Sequence, residues 1–388
     1  MPGGRMFEKQ IQMVDLHRQY LRLKNDIDTA MQSVMDDCSF INGPQVKTFS
    51  RHLAEYLDVP SVIPCGNGTD ALQIALMALG LKPGDEVIIP AFTYVAAAEV
   101  VALLGLTPVL VDVDSRTFNI NPSLIEAAVS PKTKAIIVVH LFGQSCDMES
   151  IMSLADVHHL FVIEDNAQSV GATYTFPDGR TQKTGTIGHI GTTSFFPSKP
   201  LACYGDGGAL ITSDVQLAER IHQIANHGQV RKYHHKQIGC NSRLDTLQAA
   251  ILDVKLRYLS EFTQARQLVA SRYDEALSSC QDVLLPLKSS FSTHVYHQYT
   301  IQVEEKKRDL LQAYLKERGV PSMVYYPLPL QLQEAYRGII RIGGSLQESD
   351  KLSRSVLSLP IHTEMTESEQ RHITDSFAEA ILAIARLS

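Results

Sequence analysis

Residues 86–111 read EVIIPAFTYVAAAEVVALLGLTPVLV. Val87 to Val111 is the most membrane-like run in the chain, and the way it is divided decides the fold. Pro90, Glu99, Gly105 and Pro108 interrupt it, whereas a bilayer span needs about 20 consecutive apolar residues. The pieces read as a strand over 86–89, a helix over 95–104 and a strand over 109–111. Outward from here the alternation continues. Ala135 to Val139 and Phe161 to Ile163 read as strands, Ser123 to Val129 and Glu149 to Val157 as helices. The strands are unbroken Val/Ile runs, as required when a parallel sheet is covered on both faces. Strand–helix alternation of this kind predicts an open α/β sheet.

On the N-terminal side, Leu16, Tyr20, Leu23, Ile27, Met31 and Val34 recur with a helical period, and Gln45 to Leu57 reads as a second helix. Cys65 to Asp70 is a turn feeding a helix over Ala71 to Leu79. On the C-terminal side, a strand over Ala209 to Thr212 is followed by a helix over Asp214 to Asn226. One long helix is expected from Arg243 to about Leu277. Val295 to Val303, Arg308 to Arg318 and Glu367 to Leu387 then predict a smaller α/β domain. A length of 388 residues suits two domains, here 1–255 and 256–388. Met1 to Arg5 reads as an extension ahead of Met6. The opening has no secretory-signal pattern, so a cytoplasmic location is expected. The net charge of −7 argues against a nucleic-acid partner. Six cysteines are scattered without a C-x-x-C pair, which predicts reduced thiols and no zinc site.

The chemistry-bearing stretch is Thr193-Ser194-Phe195-Phe196-Pro197-Ser198-Lys199, which runs into a glycine-rich turn ending at Gly208. A loop lysine is ordinarily a solvated charge. Here Phe195 and Phe196 are expected to be buried, Pro197 and Pro200 stiffen the backbone, and Gly205, Gly207 and Gly208 permit close approach. A lysine so fixed and partly desolvated can attack a carbonyl as a free amine, the opening of Schiff-base chemistry. Phe161-Val162-Ile163-Glu164-Asp165 is an apolar strand ending in carboxylates. Ligands of open α/β sheets sit at strand carboxyl ends, which makes Asp165 a candidate site residue; capping of the next turn is the alternative. Gly68 and Thr69, at a predicted helix start, suit an anion, with an ordinary N-cap as the alternative.

The segment SFFPSKPLACYGDGGAL, residues 194–210, resembles the lysine segment of the DegT/DnrJ/EryC1/StrS family, the pyridoxal-phosphate-dependent nucleotide-sugar aminotransferases. Four blocks match in the family's order, from Val14-Asp15-Leu16 to the final helix. The resemblance implies the aspartate-aminotransferase-like fold (fold type I). That fold has a large domain with a mostly parallel seven-stranded sheet and a smaller C-terminal α/β domain. It implies pyridoxal 5'-phosphate as cofactor, with pyridoxamine 5'-phosphate as the intermediate form. Lys199 would then carry the cofactor and move protons, and Asp165 would keep the pyridine nitrogen protonated. Gln168, in Glu164-Asp165-Asn166-Ala167-Gln168-Ser169, would approach the phenolic oxygen. Gly68, Thr69 and Ser194 would hold the phosphate. Tyr94, in Pro90-Ala91-Phe92-Thr93-Tyr94, would cover the ring, a core aromatic being the alternative.

In the family, the loop from His227 to Asp245 crosses to a neighbouring subunit. Asn241 would there touch the phosphate and Arg243 face the sugar, so a homodimer is the minimum unit. Read as bare sequence, the same loop is a solvated charge run, and Ser242 with Asp245 fits a helix start. His234-His235 lacks a third ligand, and no metal is expected. Tyr325-Tyr326-Pro327-Leu328-Pro329-Leu330 resembles the substrate-side segment, giving Tyr325 and Tyr326 as substrate contacts. Gln331, Asn166 and Val170 depart from the commonest pattern. The motifs match most closely the 3-oxo-sugar aminotransferases. This implies glutamate as amino donor and UDP-2-acetamido-2-deoxy-3-oxo-glucuronate as acceptor, for bacterial surface polysaccharide. A dTDP-3-oxo-6-deoxyhexose is the runner-up. Among other classes, a dehydratase of this fold would carry histidine in place of Lys199. A nicotinamide enzyme would need a third glycine after Gly66-x-Gly68. A DNA-binding regulator would need a basic recognition helix, and none is found.

Overall fold

In the computed structural model, which describes residues 11–280 and 282–385, the alternation beginning at residue 86 becomes a mostly parallel sheet. Its strands are β1 (Ser61–Cys65), β2 (Glu86–Pro90), β3 (Thr107–Val111), β4 (Thr133–Val139), β5 (Phe161–Asp165), β6 (Ile190–Ser194) and β7 (Gly208–Thr212). Their spatial order is β1-β7-β6-β5-β4-β2-β3. Arg341–Ile342 pairs parallel to β3, so the seven expected strands gain an eighth from the C-terminal third. β7 is antiparallel to both β1 and β6, while the remaining pairs are parallel. The carboxyl ends of β1, β2, β4, β5 and β6 therefore open on one edge, where an α/β sheet presents its ligands.

The helices before residue 160 are α1 (Leu16–Asp37), α2 (Pro44–Leu57), α3 (Gly68–Leu79), α4 (Ala96–Leu103) and α5 (Met148–His158). After it come α6 (Val215–Ala225), α7 (Thr246–Leu256) and α8 (Leu259–Leu277). Strand side chains alternate between faces. Val87, Ile89, Ile137 and Ile163 pack under α3, α4 and α6. Ile88, Ile136 and Val162 pack on the other face, against α5. The β1/β7 end is covered by α2 and α7, through Phe49, Leu53, Ala249 and Leu252.

Three expectations are corrected. The helix expected from Arg243 to Leu277 is two, α7 and α8, broken at Arg257 and Tyr258; both of these side chains reach Asp26 of α1 at 3.3 Å. The helix expected at 123–129 shrinks to a 3-10 turn, Pro122–Leu124, and one α turn, Ile125–Ala128. Phe196 is 52% exposed, and only Phe195 of that pair is buried.

In the C-terminal part, Val283–Leu284, Tyr299–Val303 and Val356–Leu359 form an antiparallel sheet. It shares a core with α8, α9 (Glu305–Glu317) and, beyond α10 (Gln347–Ser355), α11 (Glu367–Ala385). All six cysteines are free. Among the described residues no helix is long and apolar enough to cross a membrane. The extension Met1 to Arg5 lies outside the described residues.

Candidate active site

β5 ends in two carboxylates with opposite surroundings, because adjacent strand residues leave on opposite faces. Glu164 is fully buried and accepts hydrogen bonds from His140 Nε2 at 2.8 Å and from the N–H groups of Gly185, Ile187 and Gly188 at 2.8, 2.6 and 2.6 Å. Nδ1 of His140 accepts from Cys146 N at 3.1 Å, which leaves the proton on Nε2 facing Glu164. Burial alone would raise the Glu164 pKa. The His140 hydrogen bond, with the Gly188 and Gly185 N–H groups, outweighs it and holds the group below its ordinary range.

Asp165 faces the open edge, its Oδ1 accepting from Ala167 N at 3.0 Å. Burial raises its pKa, opposed by the Ala167 N–H and the charge of Lys199. Lys199 follows a tight turn in which its N–H donates to Phe196 O at 2.8 Å. Phe195 anchors that turn, edge-on to Phe49 with ring centroids 5.4 Å apart. Its carbonyl accepts from Cys203 N and Sγ at 2.8 and 3.1 Å. Burial pushes the Lys199 amine below its ordinary pKa, and the Asp165 charge opposes this. A desolvated amine and a carboxylate are thus coupled without a direct ion pair, the electrostatics suited to a nucleophilic lysine.

Gly208 pairs with both Cys65 and Ser194, which brings the end of β6 beside the first turn of α3. A Cβ on Gly68 would lie 2.7 Å from Ser194 Cβ, so only glycine admits this approach. The N-cap is Asn67, whose Oδ1 accepts from Asp70 N at 2.8 Å. The N–H groups of Gly68 and Thr69 consequently have no hydrogen-bond partner among the described residues. Together with the Ser194 hydroxyl they form an anion cradle at a helix start.

Gln168 is held in one orientation: Oε1 accepts from Phe142 N at 2.8 Å, and Nε2 donates to Tyr326 OH at 3.2 Å. Tyr94, 57% exposed, lies 6.2 Å from the Tyr326 ring centroid, and Tyr325 lies 6.0 Å from it. Burial raises the Tyr326 pKa, and the Asp165 charge adds to the shift while the Gln168 hydrogen bond opposes it. Lys199, Asp165, Gln168, Tyr94, Tyr325 and Tyr326 therefore share the strand-end edge. The departure at Asn166 is absorbed locally: its Nδ2 donates to Thr184 O at 2.8 Å, in space left open by Gly185.

Asn241 and Arg243 are not brought into that group. Asn241 is exposed and bridges to the Asn226 backbone. His234–His235 pairs with Gln229–Arg231 in an exposed hairpin where a loop was expected. A helix does start here, with Asp245 as the N-cap of α7, but the Ser242 side chain does not cap it: its Oγ donates to Asp70 Oδ2 at 2.6 Å and accepts from Gly66 N at 2.8 Å. Arg243 lines a cleft of about 1090 Å³ with Val46, Ser50, Ser61 and His222. The lysine of that cleft, Lys47, is exposed, whereas Lys199 at the strand-end edge is desolvated and coupled to Asp165. Sequence reading assigned no role to Glu164 and His140. The available signal was a second carboxylate inside an apolar strand, which demands a buried partner.

The edge fits pyridoxal phosphate. The unpartnered N–H groups beside Ser194 suit its phosphate, the Lys199 amine its aldehyde, and Asp165 its pyridinium. The model of the DegT/DnrJ/EryC1/StrS aminotransferase family matches residues 22–378. The chain is 48% identical to the UDP-2-acetamido-2-deoxy-3-oxo-D-glucuronate aminotransferase of Pseudomonas aeruginosa, over 91% of this chain and 95% of that one. It is 36% identical to the dTDP-3-amino-3,4,6-trideoxy-alpha-D-glucose transaminase of Streptomyces venezuelae, over 95% and 96% of the two chains. The crystal structure of NtdA from Bacillus subtilis with bound cofactor PMP superposes with a TM-score of 0.88 at 32% identity, covering 97% of this chain and 86% of that one. The coupled Lys199 and Asp165 on a fold type I sheet, and a family match that spans most of the chain, make this protein a pyridoxal-phosphate-dependent aminotransferase of the DegT/DnrJ/EryC1/StrS family.

Proposed function

We propose that this protein moves the amino group of glutamate onto a nucleotide-linked 3-oxo sugar, UDP-2-acetamido-2-deoxy-3-oxo-glucuronate, giving the 3-amino sugar for bacterial surface polysaccharide. The observation that carries the choice of acceptor is the 48% identity to the Pseudomonas aeruginosa protein of that name. Bound pyridoxal phosphate supplies an aldehyde for the incoming amine and a ring that withdraws electrons from the substrate carbon. Lys199, desolvated and so able to act as a base, takes the proton from that carbon and returns it. Asp165 holds the proton on the ring nitrogen in place, and the Gln168 amide donates to the phenolic oxygen. Gly68, Thr69 and Ser194 hold the phosphate by N–H and O–H donors. Tyr94 shields one ring face, and Tyr325 and Tyr326 contact the sugar. Asn241 and Arg243 serve the site of a second copy, Arg243 receiving the uronate carboxylate as a guanidinium fork. The functional unit in this reading is a homodimer.

A dTDP-3-oxo-6-deoxyhexose is the second reading, favoured by the 36% identity to the Streptomyces venezuelae transaminase. Steady-state comparison of the two sugars separates them: kcat/KM is expected to favour the uronate, and a strong preference for the deoxyhexose would remove the first reading. For the shared site, Lys199→Ala and Asn241→Ala chains, each inactive, are mixed under conditions where mixed dimers form. Partial recovery of activity is expected, and no recovery contradicts sharing.

A further inference from the structure

Beyond β3 the chain makes a tight turn. Asp114 Oδ1 accepts from Arg116 N and Thr117 N at 2.9 and 2.8 Å, and Phe118 N donates to Asp114 O at 2.8 Å. The turn delivers Asn119, which is buried, to a second turn over residues 141–145, just beyond β4. The whole Asn119 amide is committed there. Its Oδ1 accepts from Leu141 N at 2.9 Å, and its Nδ2 donates to Gln144 O at 3.3 Å and to Ser145 O at 3.0 Å. One side chain thus staples both ends of the second turn, with its acceptor and both donors in use.

Between the stapled ends sits Phe142, buried, at φ 59° and ψ −1°. A residue other than glycine holds this left-handed conformation only where its surroundings impose it. The Phe118 ring packs edge-on against the Phe142 ring, with centroids 5.2 Å apart, and on the other side Gln298 N donates to Phe142 O at 3.3 Å. So held, the Phe142 N–H points at Gln168 Oε1, 2.8 Å away. A primary amide has one accepting end and one donating end. With Oε1 occupied, Nε2 faces the site, one N–H going to Tyr326 OH at 3.2 Å and the second unspent among the described residues. Turned over, the amide would present its oxygen to the site and repel an anionic oxygen instead of holding it.

We propose that Asn119 is a positioning residue for the reaction. Through the turn it staples, it keeps Phe142 in the conformation that turns the Gln168 N–H groups, and not the Gln168 oxygen, toward the cofactor's phenolic oxygen. The proposal rests on the reading in which Gln168 donates to that oxygen, and it deepens that reading by naming what selects the amide's orientation. Asn119 has no polar atom left over for a ligand, so it acts only through its neighbours, by a relay of hydrogen bonds that ends at Gln168.

The probe is pyridoxal phosphate, titrated into the wild type, Asn119→Ala, Gln168→Ala and the double variant. For each, the dissociation constant and the pH midpoint of the visible band are read. A donor to an anionic oxygen favours its deprotonated form, so Gln168→Ala is expected to raise the midpoint by about one pH unit and to weaken binding about tenfold. Asn119→Ala should move both in the same direction, by about half a pH unit and about threefold. In the Gln168→Ala background Asn119→Ala should change neither, because the group through which it acts is gone. Phe118→Leu removes the ring contact and leaves the Asn119 hydrogen bonds in place. It should give the Asn119→Ala pattern more weakly, and it carries the test if Asn119→Ala does not fold. Single-variant effects that simply add in the double variant, or a folded Asn119→Ala protein with wild-type midpoint and affinity, would overturn the proposal. If Gln168→Ala itself leaves both readings unchanged, the parent role of Gln168 fails, and the proposal falls with it.

Discussion

Gln168 and Tyr326 are hydrogen-bonded at 3.2 Å although 158 residues separate them in the chain. The bond joins the turn after β5 to the segment at 325–330. With Oε1 taken by Phe142 N, the Gln168 amide presents its N–H groups to the site and its oxygen to the scaffold. The same residue, Phe142, receives the Gln298 N–H at its carbonyl. Three distant stretches are thereby fixed around one amide, and hydrogen bonds of this kind hold a site rigid enough to act on a bound ring.

The Gly68–Ser194 approach makes a first prediction. Gly68→Ala inserts a Cβ 2.7 Å from Ser194 Cβ, so the cradle must open. Pyridoxal phosphate dissociation, followed by fluorescence, should rise by about tenfold or more, while overpacking costs about 1–3 kcal/mol of stability. Wild-type cofactor affinity in this variant would show that the close approach is not used for binding.

Glu164 makes a second. Glu164→Gln removes the carboxylate to which His140 Nε2 and three backbone N–H groups donate and should lower stability by about 1–3 kcal/mol in denaturant titrations near neutral pH. The folded carboxyl sits below its ordinary pKa of 4.5, so its contribution is present above that value and is lost as pH falls through the folded pKa. The gap between wild type and variant should therefore narrow in acid. A gap independent of pH would mean that Glu164 is not ionised in the fold.

Lys255 makes a third, with the opposite sign. Its amine is buried against the Tyr204 ring, 4.5 Å from the centroid, and has no hydrogen-bond partner. Burial lowers its pKa from 10.5 to about 8, with Cys203 opposing. The unfolded chain binds more protons between those values, so the penalty is fully present below pH 8 and fades toward 10.5. Lys255→Met should raise the unfolding midpoint at pH 7, and the gain should shrink between pH 8 and 10. A gain that grows with pH would contradict this.

The fold was legible wherever one local rule ruled out the others. The breaks at Pro90, Glu99, Gly105 and Pro108 made 86–111 a strand–helix–strand unit, and the chain folds that way. The two-residue strand Arg341–Ile342 was not legible, because its pairing partner β3 lies more than two hundred residues upstream and it has no pattern of its own. Lys199 stood out through its proline and glycine neighbours. Phe196 was misread because only the backbone turn, and not the sequence, tells which of two adjacent aromatics faces inward. Ser242 showed a helix-start pattern, yet its hydroxyl is committed to Asp70, a residue 172 positions away. His140 gave no signal: a histidine's partners are set by tertiary contacts, and residue type alone leaves its role open.

The proposed bond between the Lys199 amine and the cofactor's aldehyde, at a site whose charge is balanced by Asp165, is open to direct trapping. The most direct measurement is borohydride reduction of the cofactor-loaded protein, followed by peptide mapping and visible absorbance, beside the Lys199→Ala variant. A single reduced pyridoxyl adduct on Lys199 is expected, with loss of the visible band on reduction, and neither the adduct nor the band in Lys199→Ala. An adduct on another lysine, or a Lys199→Ala protein that keeps both the band and turnover, would contradict it.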